Sequence, residues 1–442
     1  MDDCLFYPYL NKQYPVIVSA KGMILTDSSE KEYIDACCGA ITTNIGHGVT
    51  EVIDGIKAQL DKVTFTHRFK FTNEASQQLS VLLSNLSPGE NNKVSFASGG
   101  GEAIEFAIKL AREYYIEINK PSKYKIISRW QSFHGNTLGA LSAGGNILRR
   151  KRYSPMLIDF GHASPHNCII CPHLKDNGNC ALECINDFER TIHREGPENV
   201  AAILIEPIVG TSLCVSIPKE GYLQSIRELC NKYDILMIAD EVMTGVGRTG
   251  QFYAVQYWDI VPDLITLAKG LGGGYIPLGA IVISEKIYSA FKNNSQSFTH
   301  GYTFGGNPVA SAAGLEVVNY ILKNNLIHNS QEQGKYLLSK LKELEKKYQF
   351  IGEVSGLGLF TGMKFVKKKN PLETFPASDQ ITNKIVDTAL NMGLVLYGAQ
   401  GCIDGINGDG IIIAPPLNVV KEDVDTIVNR LEQVLLKLFS YS

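Results

Sequence analysis

The chain has 442 residues, 44% hydrophobic and 20% charged, with a formal net charge of -3. This length exceeds what one hydrophobic core usually serves, so two or three lobes with room for a ligand between them are expected. The balance of charge carries no basic footprint for nucleic acid, no apolar run approaches the roughly 18 residues of a membrane span, and the 10 cysteines are too dilute for a disulfide scaffold.

The segment 1–9 carries Asp2 and Asp3 where a targeting sequence would be basic, so a cytoplasmic location is expected. Residues 16–35 read as short strands that pack with the C-terminal part of the chain. A strand at 94–97 breaks at Ser98-Gly99-Gly100-Gly101, and 102–115 then repeats apolar residues at helical spacing. Residues 124–128 read as a strand. Apolar runs at 200–205, 235–239, 264–268 and 280–283, bounded by Pro, Asp, Gly or Lys, have the pattern of buried parallel strands. A helix is expected at 221–233 between two of them. Beyond Asn307, 308–323 and 330–346 are helical in pattern, a glycine-rich return follows at 352–363, and a last helix covers 421–438. Strand and helix alternate, which predicts an α/β fold with a mostly parallel sheet and a ligand crevice at the strands' carboxyl ends. The expected division is 1–60 and 311–442 in a smaller α+β domain, with 61–310 in a large one.

Two strand ends carry chemistry. Asp240 closes one apolar strand and Lys269 follows another, a pair suited to a cofactor that needs both an anionic partner and an amine, although a structural ion pair gives the same letters. The turn Gly99-Gly100-Gly101 runs into a helix, where backbone amides and the helix dipole form an anion pocket suited to phosphate; a plain tight connection is the alternative. Phe133 follows a strand and is placed either to stack on a planar ring or to pack in a core.

Together these stretches resemble the class III aminotransferases, pyridoxal-phosphate enzymes of the type I fold. The resemblance rests on Gly46-His47, Ser98-Gly99-Gly100-Gly101-Glu102-Ala103, Phe133-His134-Gly135, Glu206-Pro207, the run from Asp240-Glu241-Val242 to Arg248-Thr249-Gly250, Ala268-Lys269-Gly270, Gly301-Tyr302-Thr303 through Asn307-Pro308, and Ala414-Pro415-Pro416-Leu417. It implies that Lys269 forms the Schiff base and moves the proton, and that Asp240 pairs with the pyridine nitrogen. Phe133 and Val242 would flank the ring, Glu206 would sit near its edge, and Gly100 and Gly101 would contact the phosphate. Thr303 would reach the cofactor of a partner subunit, making a homodimer. Gly101 stands where many relatives have Ser or Thr. His134 and Arg248 read as structural. The implied activity is ping-pong amino transfer between an amine or amino acid and a keto acid, ketone or aldehyde. Racemases, aminomutases and decarboxylating enzymes on the same fold are the alternative, and a non-catalytic scaffold the remote one.

The substrate side departs from the family. Ile412 and Thr211 stand where some relatives have an arginine and its glutamate partner, and Ser355 begins a stretch that is Arg-Gly-x-Gly in many of them. An amine or ω-amino donor is therefore expected, or a carboxylate held by another arginine among Arg68, Arg129, Arg149, Arg150 and Arg152. Cys168, Cys171, Cys180 and Cys184, with His162, His166 and His173 nearby, have a spacing open to zinc, to a disulfide or to free thiols; no metal is assigned.

Overall fold

The structure is a computed structural model and describes residues 4–171 and 182–439. Its first three strands, β1 (Ile17–Lys21), β2 (Ile24–Asp27) and β3 (Glu32–Asp35), pair antiparallel in succession. A central sheet follows, made of β4 (Lys93–Ala97), β5 (Lys125–Arg129), β6 (Gly161–Ala163), β7 (Val200–Ile205), β8 (Leu236–Asp240), β9 (Leu264–Leu267) and β10 (Gly279–Ile283) in the order β4-β10-β9-β8-β7-β5-β6. Every residue of β7, β8 and β9 is buried. That double-sided burial is why these strands are continuous apolar runs and not alternating ones. Each fully buried Ile, Leu or Val side chain contributes roughly 1.5–3 kcal/mol.

The mostly parallel expectation holds for β5 through β9. Strand β10 departs from it, lying antiparallel to both β4 and β9. The stretch 268–278 that joins β9 to β10 contains only one 3-10 turn, too little for the helical crossover a parallel return needs. Helix Gly100–Glu117 covers this part of the sheet, burying Ala103, Ile104, Phe106, Ala107, Leu110, Ala111, Tyr114 and Tyr115 along one face.

The C-terminal part adds β11 (Ile351–Leu357), β12 (Phe360–Phe365), β13 (Leu394–Val395), β14 (Tyr397–Gln400) and β15 (Asp409–Ile413). Four of these form a sheet in the order β11-β12-β15-β14, while β13 pairs parallel with β3. The two ends of the chain thus share a sheet, as their packing together anticipated. The boundaries expected at 60/61 and 310/311 each fall inside a helix, Thr50–Lys62 and Pro308–Lys323, and these two helices pack on each other.

Candidate active site

Because β10 is antiparallel to both neighbours, β4 runs in the same direction as β5 to β9, and six carboxyl ends share one edge of the sheet. A cavity of about 480 Å3 opens there. Ser98 to Gly101 enter it after β4, Phe133 to Asn136 after β5, Glu206 and Ile208 after β7, Asp240 and Val242 to Thr244 from β8, and Ala268 and Lys269 after β9. The approach to β10 closes it with Ile276, Pro277 and Leu278. Of the residues singled out in the sequence, Gly100, Gly101, Phe133, Glu206, Asp240, Val242 and Lys269 all line this one cavity. Thr303 does not: it is exposed on the loop that precedes helix Pro308–Lys323.

Gly99 caps helix Gly100–Glu117 without any side-chain hydrogen bond, so the first-turn amides, which have no acceptor within the helix, are left to face the cavity. Side chains would crowd this turn: a Cβ on Gly100 would come 3.0 Å from Val242 Cγ1, and one on Gly101 would come 3.2 Å from Thr137 Cγ2. Thr137 in turn donates to Glu105 Oε1 at 2.6 Å. The absent hydroxyl at position 101 is thus matched by a threonine methyl that occupies its approach.

Asp240 is 4% exposed and accepts three hydrogen bonds, from His134 Nδ1 to Oδ2 at 2.8 Å, and from Val242 N at 3.1 Å and Thr266 Oγ1 at 3.4 Å to Oδ1. A carboxylate can only accept, so Nδ1 carries the proton, while Nε2 meets Ser128 Oγ at 3.0 Å. His134, read as structural, thus touches the candidate catalytic carboxylate. The signal was its place beside Phe133; its contact with a residue 106 positions away was not visible.

Lys269 has φ of +44°, in the left-handed region that a non-glycine residue occupies only when its surroundings hold it there. Burial pushes its amine down to about 8, partly offset by the Asp240 and Glu206 carboxylates, with Arg149 adding to the downward push. Burial also raises the Glu206 carboxyl to about 7, against the favourable fields of His134 and Arg129 and with the Asp240 carboxylate raising it further. Its Oε2 accepts from Phe133 N at 3.3 Å.

The arginines divide sharply. Arg129 is fully buried beneath Glu206, donating to the Glu206 carbonyl at 2.6 Å and meeting His166 Nδ1 at 2.8 Å. Arg150 binds the carbonyls of Leu141, Ser142 and Gly144. Arg248 binds those of Leu359 and Pro415, in keeping with a structural role. Arg68 lines a separate cavity with Asn73 and Gly306. Arg152 is exposed, and the guanidinium carbon of Arg149 lies 4.6 Å from the Phe133 ring centroid. Ile412 is fully buried in an apolar cluster with Ile41, Ile208, Val215 and Phe360, and the Thr211 hydroxyl is buried without a hydrogen-bond partner among the described residues. Cys180 and His173 lie outside the described residues; His162 stacks on Trp130, and His166 is engaged by Arg129. Among the described residues no helix is long and apolar enough to cross a membrane.

The family described as aminotransferase class-III matches residues 9–435. An uncharacterized aminotransferase of Bacillus subtilis, YodT, is 38% identical over 97% of this chain and 96% of its own length. The adenosylmethionine-8-amino-7-oxononanoate aminotransferase of Geobacter sulfurreducens is 33% identical over 95% of this chain and 91% of its own. Among solved structures, a transaminase from the marine bacterium Virgibacillus superposes with a TM-score of 0.92 at 31% identity, covering 98% of this chain and 97% of that one. An (S)-enantioselective omega-transaminase from Thermomicrobium roseum gives 0.90 at 32% identity, covering 96% and 93%. With family, relatives and fold in agreement along nearly its whole length, this chain belongs to the class III aminotransferases, a pyridoxal-phosphate-dependent family acting on small molecules.

Proposed function

We propose that this aminotransferase holds pyridoxal phosphate in the cavity of Lys269 and uses it to move an amino group from an amine or amino acid to a keto acid, ketone or aldehyde. The observation that carries the reading is the convergence of an amine, a triply hydrogen-bonded carboxylate and an uncapped glycine helix start on one cavity. The donor set fits the group at each point. First-turn amides at Gly100 and Gly101 suit a phosphate, Phe133 and Val242 suit the two faces of a flat ring, and Asp240 suits a protonated ring nitrogen. Bound pyridoxal phosphate supplies the carbonyl that condenses with amines and a ring that takes up the electrons left when the substrate carbon loses its proton.

The remaining work falls to the chain. Asp240, fixed by His134, Val242 and Thr266, keeps a negative charge pointed at one place without needing to reorganise. Lys269, lowered to about 8 by burial, is a base with a substantial neutral fraction near neutral pH and serves both as tether and as proton carrier. Glu206, raised to about 7, holds its proton more readily than an ordinary carboxyl and can donate a hydrogen bond at the ring's edge. Thr303 serves a partner subunit's site in a homodimer, a reading supported by its exposure beside Phe65, Phe69, Phe71 and Phe304, which are 43%, 67%, 69% and 59% exposed. The compartment is the cytoplasm, in keeping with free thiols at Cys4, Cys37, Cys38, Cys171, Cys214, Cys230 and Cys402.

The test is the absorbance spectrum of the purified protein with pyridoxal phosphate, followed on adding an amine alone and then a keto acid. The visible band is expected to bleach with the amine and return with the keto acid. A band that persists while one amino acid enantiomer racemises overturns amino transfer in favour of racemisation, and no Lys269-dependent band at all overturns the assignment of the site.

A further inference from the structure

A second cavity, of about 760 Å3, is lined by Arg149, Asn146, Thr211, Lys12, Tyr397 and Gln400 among others. It adjoins the first through two segments: Arg149 stacks on Phe133, and Thr211 follows closely on Glu206 and Ile208, all three of which line the lysine cavity. Several polar groups on this second cavity are satisfied within the protein. Lys12 is paired with Asp387 at 2.6 Å, Gln400 donates to Asn383 at 2.8 Å, and Asn146 donates to Ser212 Oγ at 3.1 Å.

Arg149 and Thr211 are not among these. The Arg149 guanidinium makes no hydrogen bond or ion pair with the described residues, its recorded contact being the face of Phe133. Thr211, only 8% exposed, has a hydroxyl with no partner among the described residues. A buried unpaired hydroxyl costs free energy unless something meets it, and a guanidinium over an aromatic face is held in place with its N–H edge still available. The positions at which some relatives grip a carboxylate cannot do so here, since Ile412 is apolar and fully buried.

Building on the aminotransferase reading, we propose that Arg149, assisted by Thr211, binds the carboxylate of an acidic amino donor or keto acceptor from the outer side of Phe133. The guanidinium supplies two parallel N–H groups to the carboxylate and the threonine hydroxyl a further donor. Arg149 is also near enough to oppose a proton on Lys269, so a bound carboxylate would screen that effect and tie substrate charge to the lysine's proton affinity.

Two measurements test this on the holoenzyme. The first compares kcat/KM for 4-aminobutanoate and butylamine in the wild type, Arg149→Gln, Arg149→Lys and, as a control on the same loop, Arg152→Gln. The ratio of acid to amine is expected to fall about 10–100-fold in Arg149→Gln, chiefly through KM, to recover partly in Arg149→Lys, and to stay put in Arg152→Gln. The second is calorimetric binding of pentanoate, which has the carboxylate and no amine, expected to weaken by a similar factor in Arg149→Gln. A ratio that does not move, or an equal fall for both donors with pentanoate binding intact, overturns the proposal. If neither donor reacts with the wild type, it is the donor side of the aminotransferase reading that fails, while the pentanoate titration still decides for or against Arg149.

Discussion

The two sides of the active-site region are built differently. On the side of Lys269, the amine and the two carboxyl groups arrive at the ends of buried strands, and the carboxyl groups are held by partners that the fold brings together: Asp240 by His134 and Thr266, and Glu206 by the Phe133 amide and the adjacent Arg129. On the side of Thr211 and Ile412, the charged pair of some relatives is replaced by a hydroxyl and an isoleucine, and Arg149 sits on the short helix Ile147–Arg150 and on no strand. The contrast teaches that the chemistry is fixed by the sheet, where a strand end cannot move without disturbing the core, while substrate recognition is carried by connections that can change with less structural consequence.

The sharpest way to break this contrast is at Lys269. On the proposed reading, Lys269→Ala removes tether and base together and is expected to lower turnover by about 10^4-fold or more, with the visible band shifting away from its lysine-bound position. Folding should be unharmed, because burying a lysine amine is itself unfavourable. With the amine lowered from 10.5 to about 8, the folded protein bears this cost in full below pH 8 and loses it as pH rises from 8 towards 10.5. The apo variant should therefore melt no lower than wild-type apo protein at pH 7, with the gap closing above pH 10. A melting point well below wild type at pH 7 would mean that Lys269 is a structural residue first.

The substrate side gives the next largest effect, on stability. Ile412→Arg places a guanidinium among Ile41, Ile208, Val215 and Phe360 and is expected to cost at least about 3 kcal/mol in denaturant unfolding. Adding Thr211→Glu should recover less than half, because it restores the charge partner but not the volume. Full recovery would show that this side kept the older architecture beneath its changed letters. Smaller again is His134→Ala, which removes a charge-assisted hydrogen bond to Asp240 and should lower kcat about 10–100-fold with little change in KM; an unchanged kcat would return His134 to a packing role.

The same contrast explains what was legible in advance. Strands β7, β8 and β9 are legible because burial on both faces makes their sequences continuously apolar, and polar terminators then point to Asp240 and Lys269, whereas Glu206 follows from the family resemblance. The glycine turn was equally visible. Strand β6, only Gly161–Ala163, is too short to carry a pattern, and the helices Thr50–Lys62 and Glu183–Glu195 passed unread. The reversal of β10 depends on the length and content of its connection, which strand composition does not reveal. Contacts between distant segments, such as His134 with Asp240 or Arg129 with His166, are set by the fold and not by local letters, so the five candidate arginines could not be sorted until the chain was folded.

A pH-dependent effect is expected at Glu206, where the two sides meet. Its carboxyl, raised from 4.5 to about 7 by burial, takes up a proton in the folded protein that the unfolded chain releases. Below pH 4.5 both states are protonated and the residue costs nothing. As pH rises from 4.5 to 7 the unfolded chain ionises first, and stability is lost until the folded carboxyl also ionises; above 7 the cost is constant, on the order of 3 kcal/mol. Glu206→Gln keeps an acceptor for the Phe133 amide and removes that titration. The variant should thus be the more stable protein at pH 8, with its advantage shrinking between pH 7 and 4.5 and absent below, as thermal unfolding across that range would show. The reverse trend, with the variant weaker at pH 8, would mean that Glu206 is ionised and held by Arg129, 4.0 Å away, and that the strand-end charges stabilise the fold instead of being tolerated by it.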